Sequence, residues 1–221
     1  RQAAALPLAG LTALQGLTTH GGLSASTSSE DGQPRERQRV AIYGGSGGVG
    51  SLAIQIAKAM DCEVYTTGSQ VDFLKNELHA DHVINYKEQN IAEELANKNL
   101  DCVYDCVGGK DGWIAAQGAL RKGGKYATIV GDDNGLLRMM GGILWRKFVS
   151  NFGYHEYNIF LTSVNKPDMN KLSEFVESGK LTPILDDRQF ELTTESLNAM
   201  MAASMSHRTK GKLVMTVCKE E

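Results

Sequence analysis

Gly45-Ser46-Gly47-Gly48-Val49-Gly50 fits the pattern G-x-G-x-x-G. Alone the pattern is common; after a strand and before a helix it describes a phosphate cradle. Each glycine has its own physical task. Gly45 permits a tight turn, Gly47 lets a pyrophosphate approach the backbone, and Gly50 lets helix and strand pack closely. Free N–H groups at the helix start, with the helix dipole behind them, then hold negative charge. No Gly-Lys-Ser/Thr follows, so a phosphate-loop nucleotidase is excluded. The alternative is a tight strand–helix turn with no ligand.

The end of the next predicted strand discriminates between dinucleotides. Free ribose hydroxyls call for an Asp or Glu there. Val64–Val71 reads VYTTGSQV and has no acid. Gly68 and Ser69 are small, leave room for a 2′-phosphate and do not repel it, which favours NADPH over NADH. No Arg or Lys adjoins them; the cation has to arrive from elsewhere, and Arg208 is the candidate.

Other reactive side chains group poorly. Cys62, Cys102, Cys106 and Cys218 form no C-x-x-C and no Cys/His set with zinc spacing. Cys102 and Cys106 lie four apart on one predicted strand, too far to bridge. His20, His79, His82, His155 and His207 are scattered and read as surface polar residues. There is no G-x-S-x-G and no evident triad. Neither a catalytic residue nor a metal ligand is assigned.

The elements that must position the cradle follow from periodicity. Short apolar strands are predicted at Val40–Tyr43, CEVYTTGS, DHVINY, DCVYDCVGG, KYATIVGD and YNIFLTS. Helical stripes separate them: Val49, Leu52, Ile56 and Ala59; Phe73, Leu74 and Leu78; Ile91–Ala96; Trp113, Ala116 and Leu120. Strand–helix alternation of this kind means βαβ units, hence an α/β fold with a Rossmann-type, doubly wound parallel sheet. Beyond it come a helix at Asp168–Ser178 with Asp168 as N-cap, a strand near QFEL, a helix near Glu195–Met205 and a strand KLVMTV. Met200, Met201 and Met205 read as core filler. The chain opens in an amphipathic helix with Leu6, Leu11, Leu14 and Leu17 at helical spacing, which suggests that a preceding domain is absent.

Composition narrows the partners. The 221 residues carry 23 Lys+Arg against 26 Asp+Glu, a net charge of −3, which argues against nucleic acid or an anionic membrane. No apolar run is long enough to span a bilayer. Glycine is in excess, 24 residues or about 11% against a usual ~7%.

These residues together resemble the zinc-independent medium-chain dehydrogenase/reductase family, in its quinone oxidoreductase-like branch. The carrying motifs are LPLAGLTALQGL, GGSGGVG, ADHVINY, DCVYDCVGG, GGKYATIVGD, FVESGKLTPILD and GKLVMTV, in family order over nearly the whole chain. The look is closest to the reticulon-4-interacting, mitochondrial-type reductases. The resemblance implies that Ser46, Gly47, Gly48 and Val49 form the pyrophosphate turn. It implies Ser69, Tyr86 and Arg208 near the adenosine phosphate, and Val107 over the ribose. Val130, Gly131, Phe160, Leu161 and Thr12 would stand near the nicotinamide. Val71 stands where some members place a Lys, and Leu23–Arg39 is a longer loop than usual.

The implied organisation is a hinge helix at 1–22, a loop at 23–39, the dinucleotide-binding unit at 40–165, and 166–221 returning to a GroES-like catalytic domain whose N-terminal part is missing. The implied activity is NADPH-dependent reduction of quinones or activated enones by hydride transfer. A homodimer, cytoplasmic or mitochondrial, is implied as well. The alternative is a non-enzymatic dinucleotide-binding or partner-binding module. Leu136–Tyr157 stands apart: Leu137, Met140, Leu144 and Phe148 form an apolar face, with Arg138, Arg146 and Lys147 opposite. A cover over the crevice or a subunit contact explains it better than a membrane-surface helix, since three basic residues are few.

Overall fold

The computed structural model describes residues 1–25, 36–131, 136–152, 155–206 and 208–217, with side chains between 136 and 152 described only for 140–150. His207, Cys218, most of the 23–39 loop, Leu137 and Arg138 therefore lie outside the described residues.

Six strands form one parallel sheet: β1 Arg39–Tyr43, β2 Glu63–Thr67, β3 His82–Ile84, β4 Leu100–Asp105, β5 Leu120–Thr128 and β6 Glu156–Ile159. Their order is β3-β2-β1-β4-β5-β6, which confirms the Rossmann-type α/β reading. The order reverses between β1 and β4, so a crevice opens above their carboxyl ends. Register sets Ile84, Thr67, Tyr43, Asp105, Thr128 and Ile159 side by side across the sheet. β6 stops at Ile159, so Phe160 and Leu161 follow the strand and are not part of it.

Alternating side chains build a core on each face. Val40, Ile42, Cys102 and Tyr104 face one side, packed with Leu11, Leu14, Leu17, Leu52, Ile56 and Leu172. These come from α2 Pro7–Gln15, which follows a short α1 at Gln2–Ala5 and is extended by a π-turn at Gly16–His20, and from α3 Gly50–Ala59 and α7 Lys166–Glu177. Pro7 sits in the first turn of α2, where it is tolerated. Ala41, Tyr43, Val103 and Tyr126 face the other side, with Leu95 of α4 Ile91–Leu95 and Trp113 of α5 Lys110–Ala119. Each fully buried leucine or isoleucine contributes roughly 1.5–3 kcal/mol.

Several local readings change. Asn165, not Asp168, caps α7: its side chain accepts from the Asp168 N–H. Asp168 instead accepts from Gln15 and Asn165, because its carboxylate faces α2 across the helix start. The final strand shrinks to β8 Met215–Thr216, paired with β7 Phe190–Glu191; α8 Thr194–Met205 lies between them. Met201 and Met205 are exposed, so α8 does not bury them as core. In α6 Leu136–Phe152, Met140, Leu144 and Phe148 are exposed as one stripe. Arg146, read as part of the basic face opposite the stripe, is buried against Tyr157 and sits over its ring.

Candidate functional site: a glycine-rich crevice at the strand ends

β1 ends in the glycine turn. The positive φ belongs to Gly44 (+75°), so the sharp reversal that the spacing assigns to Gly45 is made one residue earlier. Gly45 is small for packing: a Cβ there would overlap the buried Thr66 hydroxyl of β2. Gly50 plays the expected part, its α-carbon lying against the Gly44 carbonyl. Gly47 differs from both, since an added Cβ would meet nothing closer than the Gly44 oxygen at 3.5 Å. The space above Gly47 is therefore a cradle that a side chain would fill. The amides of Ser46 and Val49 have no hydrogen-bond partner among the described residues, whereas Gly48 is drawn into the bridge between Gly47 and Gly211. Free donors beside an open cradle at a helix start fit a pyrophosphate.

Polar side chains fix the turn in place. Thr67 accepts from the Gly44 N–H through its hydroxyl (3.1 Å) and from the Gly45 N–H through its carbonyl (3.1 Å). The C-terminal segment crosses the turn: the Gly211 N–H donates to the Ser46 carbonyl at 2.9 Å, and Lys212 lies against Gly48. That crossing is held from below by Asp186, whose carboxylate accepts from the Arg188 side chain (2.6 and 2.7 Å) and from the Lys210 N–H (3.1 Å). These bonds hold the Asp186 carboxyl down at about 2.

On the adenosine side, Gly68 is buried with Ser46 close by, so Ser46 and the Gly68–Ser69 pair form one surface. Lys210 packs over the Phe73 ring and pairs with Glu77, which brings the Arg208–Lys212 segment to the same end. Arg208 itself is exposed, and Tyr86 stands 51% exposed after β3. Neither touches the turn.

On the other side, the loop after β4 wedges between its neighbours. Val107 packs against Gly44, and Gly108 (φ +83°) packs against Val130 and Gly131. Farther on, His20 stacks on Phe160 at 4.1 Å, and Asn158 donates to the His20 carbonyl. His20 is thus part of the packing rather than a free surface residue, and burial lowers its pKa. His82 is likewise engaged, stacked on Tyr65 and bonded to Glu63. Thr12 is buried; its hydroxyl donates to the Leu8 carbonyl and meets the Thr162 hydroxyl at 2.6 Å. Leu161 is 94% exposed and faces solvent. Sequence spacing missed Asp105, Gly44 and Gln15. For the first, an Asp closing an apolar strand just before paired glycines was the available signal.

Cys62, Cys102 and Cys106 are free thiols, and burial raises all three, Cys62 to about 11. Among the described residues no group of three or more His, Cys, Asp or Glu side chains is placed to hold a metal ion.

The family described as "Zinc-binding dehydrogenase" matches residues 78–215. The chain belongs to this family. It is similar to a zinc-type alcohol dehydrogenase-like protein of Schizosaccharomyces pombe, 33% identical over 184 residues, 80% of this chain and 51% of that protein. It is similar to the human mitochondrial NAD(P)H oxidoreductase RTN4IP1, 32% identical and covering 98% of this chain and 55% of the other. In structure it resembles the quinone oxidoreductase of Coxiella burnetii, with a TM-score of 0.77, 30% identity, and 98% and 61% coverage. These place it in the quinone oxidoreductase-like branch of the medium-chain dehydrogenases/reductases. The chain spans about half the length of the curated relatives it matches.

Proposed function

We propose that this chain is the dinucleotide-binding part of an NADPH-dependent oxidoreductase that reduces quinones or activated enones by hydride transfer, without zinc. The observation that carries the reading is the open cradle over Gly47, flanked by the amides of Ser46 and Val49, which have no hydrogen-bond partner among the described residues. The names of its relatives, an NAD(P)H oxidoreductase and a quinone oxidoreductase, support the same class of reaction.

When bound, the nicotinamide supplies the hydride. The protein's own residues bind and orient. Ser46, Gly47, Gly48 and Val49 hold the pyrophosphate, and Ser69, Tyr86 and Arg208 take the adenosine 2′-phosphate. Val107, Val130, Gly131, Phe160, Leu161 and Thr12 border the ribose and nicotinamide. From the strand-two end to the strand-six end the row covers four strand spacings, roughly 19 Å. Arg208 contributes as an exposed cation on a segment that is itself anchored on Ser46.

The division into a hinge helix (1–22), loop (23–39), dinucleotide-binding unit (40–165) and returning segment (166–221) belongs to the same proposal, as does a homodimer. No helix among the described residues is long and apolar enough to cross a membrane. A mitochondrial rather than cytoplasmic setting is supported by the relative named mitochondrial. The test is a titration with NADPH and NADH, followed by turnover on a quinone and enone panel. Tighter NADPH binding with quinone-dependent oxidation supports the reading. Binding without turnover by the longer relatives' counterpart of this chain favours the non-enzymatic module instead.

A further inference from the structure

Asp105 closes β4 at the point where the strand order reverses, with 1% of its surface exposed. A buried carboxylate is costly unless donors surround it. Three do. Oδ1 accepts from the Val107 N–H at 2.8 Å and the Gly108 N–H at 2.9 Å; Oδ2 accepts from the Tyr126 hydroxyl at 2.5 Å. Burial raises the Tyr126 phenol, and the Asp105 charge raises it further, so the tyrosine keeps its proton and donates. Among the described residues the hydroxyl of Tyr43, the neighbouring phenol, has no hydrogen-bond partner, so it does not share the task. Gly112 of α5 lets the helix close over the pair, with Oδ2 and the Tyr126 oxygen both 3.4 Å from where its Cβ would stand.

The two amides that Asp105 holds belong to the residues that wedge between the turns after β1 and β5. Val107 packs on Gly44; Gly108 packs on Val130 and Gly131. If packing alone were needed here, apolar side chains would serve at lower desolvation cost. The Asp105 acceptor instead fixes the height of a loop whose outer side is open, Val107 being 62% exposed.

We propose that Asp105 and Tyr126 are a positioning pair for the nicotinamide half of the dinucleotide: they set the Val107–Gly108 loop against the ligand without touching it. The inference rests on the dinucleotide reading of this crevice.

Binding of NADPH and of ADP, which lacks the nicotinamide and its ribose, separates positioning from general stability. Tyr126→Phe removes the donor to Oδ2 and should weaken NADPH about tenfold while changing ADP less than about twofold, the size of one lost charge-assisted bond. Asp105→Asn keeps an acceptor for both amides and should hold NADPH within about threefold. Gly108→Ala moves the loop and leaves the pair intact; it should discriminate between the two ligands as Tyr126→Phe does. An unchanged NADPH-to-ADP ratio in Tyr126→Phe and Gly108→Ala overturns the proposal. An unmutated protein that binds ADP but not NADPH, or neither, overturns the dinucleotide reading itself and this inference with it.

Discussion

Gly47→Val puts the cradle to a quantitative test. The backbone φ at Gly47 is not in the left-handed region, and a Cβ there would meet only the Gly44 oxygen at 3.5 Å. The substitution should leave the ligand-free fold intact. The branched methyls would stand where the proposed pyrophosphate meets the amides of Ser46 and Val49. Hydrogen bonds to a charged group are worth roughly 1.5–3 kcal/mol each, and lifting the phosphates off two of them costs about 3 kcal/mol or more. That is about a hundredfold in Kd. At free NADPH one hundred times the unmutated Kd, binding stabilises by about 2.7 kcal/mol, and the variant by only about 0.4. For a domain of this size the two should show Tm shifts of about 5–10 °C and about 1 °C. Gly45→Val is the contrast: its side chain overlaps buried Thr66, so the ligand-free Tm itself should fall. A Gly47→Val protein with the ligand-free Tm and the NADPH shift of the unmutated chain would show that no phosphate sits on this turn.

Arg208→Ala should weaken NADPH by roughly 1–3 kcal/mol and leave NADH unchanged; equal Kd values for the two cofactors in the unmutated protein would remove the basis for the expectation. Gln15→Ala removes donors to the Ser163 carbonyl and Asp168 and the acceptor for the Ser163 N–H, all at 2.7–2.9 Å, and should cost about 1–3 kcal/mol in urea unfolding. Asp186→Asn tests the clamp under the C-terminal crossing. The folded pKa, about 2, lies below the unfolded value, so the stabilisation is present above pH 4 and lost as pH falls toward 2. The Tm gap between the variant and the unmutated protein should therefore be full at pH 6 and shrink from pH 4 downward; a gap independent of pH would rule out the ionised clamp. Cys62, Cys102 and Cys106 should resist iodoacetamide at pH 8 in the native state and react fully in denaturant, because burial keeps the thiols protonated.

The fold was legible because its signals are local and strong. Val40-Ala41-Ile42-Tyr43 running into glycines, followed by the Leu52–Ile56 stripe, leaves little besides a βαβ unit. The open space over Gly47 agrees with the glycine spacing for the same reason. The errors fall where a neighbour distant in sequence decides the outcome. Asp168 looked like a cap, yet Gln15 claims its carboxylate from the far end of the chain. Arg146 reads as part of a basic helix face, yet Tyr157 buries it and supplies both a hydroxyl and a ring face. His20 looked like a surface residue, yet Phe160 stacks on it. The positive φ falls on Gly44 rather than Gly45, and Thr67 holds both residues from β2, its hydroxyl accepting from the Gly44 N–H and its carbonyl from the Gly45 N–H.

A common device runs through these distant contacts. Each loop at the crevice leaves the sheet ladder, and a polar side chain stands in for the missing backbone partner. Thr67 takes the Gly44 N–H, Asp105 takes those of Val107 and Gly108, and Thr128 takes that of Val130. Gln15 and Gln55 go further: each amide pairs with both the N–H and the C=O of one residue, Ser163 and Thr182 respectively, as another strand would. Backbone that is satisfied in this way need not rearrange to bind. The ordering cost that a loose loop would charge against ligand affinity is met during folding instead. The amides of Ser46 and Val49 have no such partner among the described residues, which is why the proposed pyrophosphate site is put on them.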